Sequence, residues 1–276
     1  MSEYRLLVFV EGSLLHTLPE GNPVWGVTSL DNLLYLLRGK PSKNIEVYDM
    51  HTNCLRRRFT VPGLDFKSDM TACAYNMCIY ISGDRDNRVH RVALSRNDVT
   101  KWSVDDVARG LSVTDTHSVL VLCDEVKTIK EFTTDGKLLR QIKLPQEVKS
   151  PWQSIQLSRG EFVVCHGSVA DPVHGVCLTG SDGHIVKSYG ESKGSGSQQL
   201  NVPIHMAVDW NGFVFVADRN NRRVLLLSPD LTYVREVVSC EQLKWYPRRL
   251  FLDVDRRRLY VAIGECNAGR VVVISV

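Results

Sequence analysis

Chemistry on a protein surface needs reactive side chains brought together. In this 276-residue chain the candidates are eight histidines, eight cysteines and a set of arginines interleaved with aromatic residues. A metal-dependent active site needs several His or carboxylate ligands converging on one point. The histidines at 16, 51, 90, 117, 166, 174, 184 and 205 are scattered, and only His166 and His174 are close enough in sequence to share a loop. No Gly-x-Ser-x-Gly elbow, P-loop or dinucleotide-type glycine fingerprint is present, and Gly194-Ser-Gly-Ser reads as a flexible loop. These observations predict no cofactor, no metal and no catalysis, with a metal-dependent propeller hydrolase or lyase as the alternative. The cysteines form no Cys-x-x-Cys pair and fall mostly in apolar runs such as Val119-Leu-Val-Leu-Cys. That pattern predicts free thiols packed as small hydrophobes in a reducing, cytoplasmic compartment, with disulfides as the alternative.

The arginines and aromatics point to recognition instead. The residues expected to share one face are Trp25, Arg85, Arg88, Arg109, Trp152, His205, Arg219, Arg222, Trp245, Tyr246, Arg248 and Arg249. Desolvated Trp, Tyr and Arg are what a protein or peptide hot spot uses. The same residues would serve single-stranded RNA through phosphate contacts and base stacking. For Trp25 and Trp152 a packing role between neighbouring strands is the competing assignment. Lys plus Arg number 34 against 31 for Asp plus Glu, a balance that does not by itself demand nucleic acid.

These residues can be gathered only by the elements that carry them. Apolar runs recur about every 40–50 residues, the period of a four-stranded propeller blade. Units open near Gly26, Thr71, Leu111, Ser154, Met206 and Leu250. The second strand of each is continuously apolar, as in Leu33-Leu-Tyr-Leu-Leu and Phe213-Val-Phe-Val-Ala, which predicts burial on both faces. Fourth strands such as Leu55-Arg-Arg-Arg-Phe carry charge, as an exposed edge should. The expectation is an all-β, six-bladed β-propeller occupying 1–276 as one monomeric domain. Loops between blades and between second and third strands would then form one face, where recognition residues gather. The last unit has three strands, so residues 1–24 are expected to close the ring, with Leu14-Leu-His-Thr-Leu as the missing fourth strand. Leu6 to Val10 reads as a surplus strand, and Val104 to Ala108 as the sole candidate for a helical turn. No apolar run reaches the ~18 residues of a membrane span.

The fifth unit reads Pro203-Ile-His-Met-Ala-Val-Asp-Trp-Asn-Gly-Phe-Val-Phe-Val-Ala-Asp-Arg-Asn-Asn-Arg-Arg-Val-Leu. It resembles the NHL repeat, with Asp209, Gly212, Asp218, Asn221, Arg223 and Val224 at the motif positions. Asp84-Arg-Asp-Asn-Arg-Val is a shortened echo in the second unit, and Pro247 and Asp253 are kept in the sixth. The resemblance implies an NHL/TolB-like propeller similar to those of tripartite-motif proteins. Such domains recognise protein substrates beside a RING ubiquitin-ligase module or bind RNA, while amidating-lyase relatives hold a metal. The RING spacing of Cys and His is missing from this chain, so any ligase activity would lie elsewhere. The motif residues Asp209, Gly212, Asp218, Asn221 and Arg223 are expected to shape the blade rather than to bind.

Overall fold

A computed structural model describes residues 12–40, 42, 44–64, 69–83, 86–95, 98–190, 192–265 and 267–276. Six four-stranded antiparallel sheets form a ring, a six-bladed β-propeller. The inner strands are Val24–Leu30, Met70–Cys73, Ala108–Val113, Pro151–Gln156, Pro203–Val208 and Pro247–Asp253. Blades are numbered 1 to 6 in that order. In blades 1 to 5 the chain then runs outward through three further strands.

Burial follows from the period of two. In the second strand of blade 5, Val214 and Val216 pack toward blade 4, while Phe215 and Ala217 pack toward blade 6. Both faces of that strand are therefore inside, and no polar alternation is tolerated. The same division fills the other interfaces, for example Leu120, Leu122 and Ile142 of blade 3 against Phe162, Val164 and Cys177 of blade 4.

The ring closes as the sequence implies. Leu14–Thr17 pairs antiparallel with Gly269–Ser275 as the outer strand of blade 6, with Leu14 opposite Ile274 and Thr17 opposite Val272. The expected strand at Leu6 to Val10 lies outside the described residues.

One local expectation is corrected. Val104 to Ala108 is not helical; Ala108 already belongs to the inner strand of blade 3. The turn instead forms at Cys240–Leu243, where a capping box holds it: Gln242 N donates to Ser239 Oγ and Ser239 N donates to Gln242 Oε1. Among the described cysteines, Cys73, Cys78, Cys123, Cys165 and Cys177 are buried free thiols, and Cys54 and Cys240 are exposed free thiols. Among the described residues no helix is long and apolar enough to cross a membrane.

Candidate functional site

The channel mouth is built by a repeated irregularity. In five blades the pairing of inner and second strands slips by one residue, between Val24 and Gly26, Ala108 and Gly110, Pro151 and Gln153, Pro203 and His205, and Pro247 and Arg249. A bulge leaves one residue unpaired and re-aims its side chain. The bulged residues are Trp25, Arg109, Trp152, Ile204 and Arg248. Four of them, Trp25, Arg109, Trp152 and Ile204, line a cavity of about 40 Å³ together with Asp69, His205 and Arg249. Below it the channel widens to about 310 Å³, lined by neutral inner-strand residues including Thr28, Ser112, Gln153 and Phe251, with His205 touching both spaces.

The residue that follows each bulge, and Asp69 at the equivalent register of blade 2, sits at the seam with the next blade. There the side chains of Asp69, Gln153 and His205 each accept an amide proton from the next inner strand. Leu111 N donates to Asp69 Oδ2 at 2.9 Å, Met206 N to Gln153 Oε1 at 2.6 Å, and Leu250 N to His205 Nδ1 at 3.2 Å. Blades 1 and 3 place Gly26 and Gly110 at the same position. A Cβ on Gly26 would fall 2.5 Å from Met70 Cβ, and one on Gly110 would fall 2.4 Å from the Trp152 carbonyl oxygen. Glycine is required there by close approach of the neighbouring blade. In blade 6 the position is Arg249, which cannot accept and turns back across the channel. Its Nε lies 3.0 Å from Asp69 Oδ1, and His205 Nε2 lies 3.4 Å from the same oxygen.

This trio is buried and electrically settled. Burial raises the Asp69 carboxyl, but the Arg249 charge, the facing His205 ring and the Leu111 amide outweigh it and hold the group below the usual carboxylate range. Burial pushes His205 down, against the opposing pull of Asp69. With Nδ1 accepting from Leu250, the neutral ring carries its proton on Nε2, toward Asp69.

The arginines and aromatics come together in pairs. Arg109 lies over the Trp152 ring at 4.4 Å, Arg248 over Trp25 at 4.9 Å, Arg219 over Tyr246 at 5.1 Å, and Arg270 over Trp245 at 4.9 Å. Arg109 also ion-pairs with Asp124, and Trp152 Nε1 donates to the Gly167 carbonyl at 2.9 Å. The packing role weighed for Trp25 and Trp152 is thus combined with lining the mouth. Arg88 and Arg222 are exposed at loop ends, away from the mouth's lining. Arg85 lies outside the described residues. The mouth also contains Asp69 and Ile204, which sequence reasoning did not place there. Aligning the repeats would have put Asp69, Gln153, His205 and Arg249 in one column.

The NHL-like residues are engaged within blade 5. Asp209 Oδ1 accepts from the amides of Asn211 and Phe213, and Gly212 has φ +84°. Asp218 is fully buried and accepts from Asn201 N, Asn221 Nδ2 and Arg223 Nε at 2.7–2.8 Å. Arg223 then reaches the Gln199 carbonyl at 2.9 Å and so ties down the segment entering the blade. Burial raises the Asp218 carboxyl despite those donors. His174 donates from Nε2 to the Ser168 carbonyl and accepts on Nδ1 from Val202 N, so both its nitrogens are committed. Among the described residues no cluster of three or more His, Cys, Asp or Glu is arranged to hold a metal ion.

No family model matches the chain, and no curated protein matches it. Solved structures do. A Bacteroides thetaiotaomicron VPI-5482 protein of unknown function is 14% identical, with a TM-score of 0.69 over 95% of this chain and 72% of that one. Kuenenia stuttgartiensis hydrazine synthase is 13% identical, with a TM-score of 0.65 over 97% and 99%. A catalytically inactive variant of virginiamycin B lyase from Staphylococcus aureus, solved with quinupristin, is 11% identical, with a TM-score of 0.63 over 95% and 98%. At these identities the likeness concerns the fold alone.

Proposed function

We propose that this propeller is a non-catalytic interaction module that docks a protein or peptide partner on its loop face, centred on the channel mouth. The observation that carries the reading is the pairing of the mouth's cations. Arg109 is neutralised by Asp124 and Arg249 by Asp69, and the aromatic rings of Trp152, Trp25, Tyr246 and Trp245 each have a guanidinium over them. Rings already stacked with arginine and charges already paired are poorly suited to bases and phosphates. They are well suited to the desolvated anchor of a protein interface. The NHL assignment and the link to ubiquitin-ligase substrate recognition rest on the blade 5 motif and remain part of this proposal.

The test is a peptide-display selection on the intact chain, with binding remeasured on Arg109→Glu and Trp152→Glu. Loss of binding in either variant, with circular dichroism unchanged, supports docking at the mouth. RNA is the rival. Tight binding of a random single-stranded RNA pool that falls steeply with salt and is lost in Arg219→Glu would overturn the reading.

A further inference from the structure

The floor of the mouth has unmet hydrogen-bonding capacity of a particular kind. Asp69 Oδ1, Arg249 Nε and Arg109 Nε are buried atoms whose hydrogen bonding is incomplete: the two arginine N–H groups have no acceptor in line, and Asp69 Oδ1 is met by His205 Nε2 only at a long 3.4 Å. Asp69 and Arg249 are ion-paired, but side by side rather than along a donor–acceptor line, and both residues are more than nine-tenths buried. All three residues border the same cavity of about 40 Å³. Buried polar atoms are rarely left unmet in native proteins, so the space calls for an occupant.

The three atoms describe that occupant. Two N–H groups call for an acceptor with two lone pairs, and one carboxylate oxygen calls for a donor. The formal charges of Asp69, Arg249, Arg109 and Asp124 cancel, so a neutral group suits the floor. A carboxylate or phosphate has no donor for Asp69 and would face its charge. An ammonium or guanidinium has nothing to accept from the arginines. The volume admits about three non-hydrogen atoms, counting one water-sized probe per roughly 10–15 Å³. A nucleobase is too large, and a backbone amide is substituted at both ends and cannot enter a pocket end-on. A terminal carboxamide meets each requirement, with its oxygen accepting from both arginines and its NH2 donating to Asp69.

We infer that the mouth is a specificity pocket for an Asn or Gln side chain presented by the docked partner, between the walls formed by Trp25 and Trp152. The inference rests on the docking reading given above and adds the residue that is recognised.

Sequencing the peptides selected on the intact chain tests it, followed by binding of synthetic peptides in which each enriched position is changed. An invariant Asn or Gln is expected, with Asn→Asp, Gln→Glu and Leu replacements each weakening binding about tenfold or more, because they leave the floor atoms unpaired. The Arg109→Gln variant should shrink that difference while staying folded. Peptides that lose binding in Arg109→Glu or Trp152→Glu but show no carboxamide preference would overturn this inference and leave mouth docking standing. Binders indifferent to the mouth variants, or no binders, would overturn both. Water as the sole occupant would show as the first of these two outcomes, since water imposes no residue preference on the partner.

Discussion

Arg38 Nη1 donates to the carbonyl oxygen of Gly269 at 2.9 Å, a bond between residues 231 positions apart that crosses the point where the ring closes. The same guanidinium donates to the carbonyls of Asn22 and Pro19 and, through Nε, to Glu46 Oε2 at 2.8 Å. One buried side chain therefore holds blade 1, the incoming segment and blade 6.

Removing it should loosen closure. Arg38→Met leaves Glu46 with Arg58 and Tyr48 but without its buried counter-charge. A loss of about 3 kcal/mol is expected in denaturant unfolding. Limited proteolysis should cut the segment around Leu14–Thr17 much faster than in the parent protein.

The seam glycines give a second prediction. A methyl group on Gly26 or Gly110 meets the neighbouring blade at 2.4–2.5 Å. Gly26→Ala and Gly110→Ala should each cost about 1–3 kcal/mol through overpacking, read as a lowered Tm. Gly160→Ala has open space but φ +87°, so its cost should come from backbone strain alone.

Acid should destabilise the fold first through histidine. Burial, with His174 adding to it, pushes His166 down to about 4 from an ordinary 6.5. The unfolded chain therefore takes the proton first, and stability falls as pH drops from about 6.5 to about 4. For His166 the loss approaches about 3 kcal/mol at the low end. His205, also lowered, adds in the same direction. Urea unfolding across that range should show the slope, and His166→Gln should flatten part of it. Glu46 and Asp69, whose pKa values are lowered from 4.5 and 3.8, lose their contributions as pH falls below those ordinary values, near the acid end of the histidine range and beyond.

Thiol reactivity should divide sharply. Burial pushes Cys123, Cys165 and Cys177 up to about 12, whereas Cys54 and Cys240 are exposed. At a pH of about 8 a disulfide reagent should label Cys54 and Cys240 within minutes. The three deep thiols should react only at the rate of unfolding, as peptide mapping would show.

What the sequence makes legible is whatever repeats or stays local. Apolar second strands such as Val119–Cys123 announce themselves, and Leu14–Thr17 can be matched to the strand that blade 6 lacks. Trp25, Arg109, Trp152, His205 and Arg249 can be assigned to one face from their places at the starts of inner strands. Their arrangement cannot. A one-residue bulge changes the aim of Trp25 or Ile204 without altering the apolar pattern around it. The Asp69–Arg249 pair joins distant parts of the chain, and no local pattern marks Asp69 as its partner. The turn at Cys240–Leu243 escapes a periodicity reading although Ser239 and Gln242 stand at capping-box spacing, because four residues are too few to show a helical period.

The seam position also has a consequence for how anything approaches this molecule. Gly26, Asp69, Gly110, Gln153, His205 and Arg249 are structurally equivalent, yet no two neighbours among them are alike and only glycine occurs twice. A ring of identical blades would offer a visitor six indistinguishable ways to sit, each one sixth of a turn from the next. Here the backbone keeps that rotational likeness while the side chains cancel it. The mouth has one compass bearing, and a partner that finds it is oriented as well as bound.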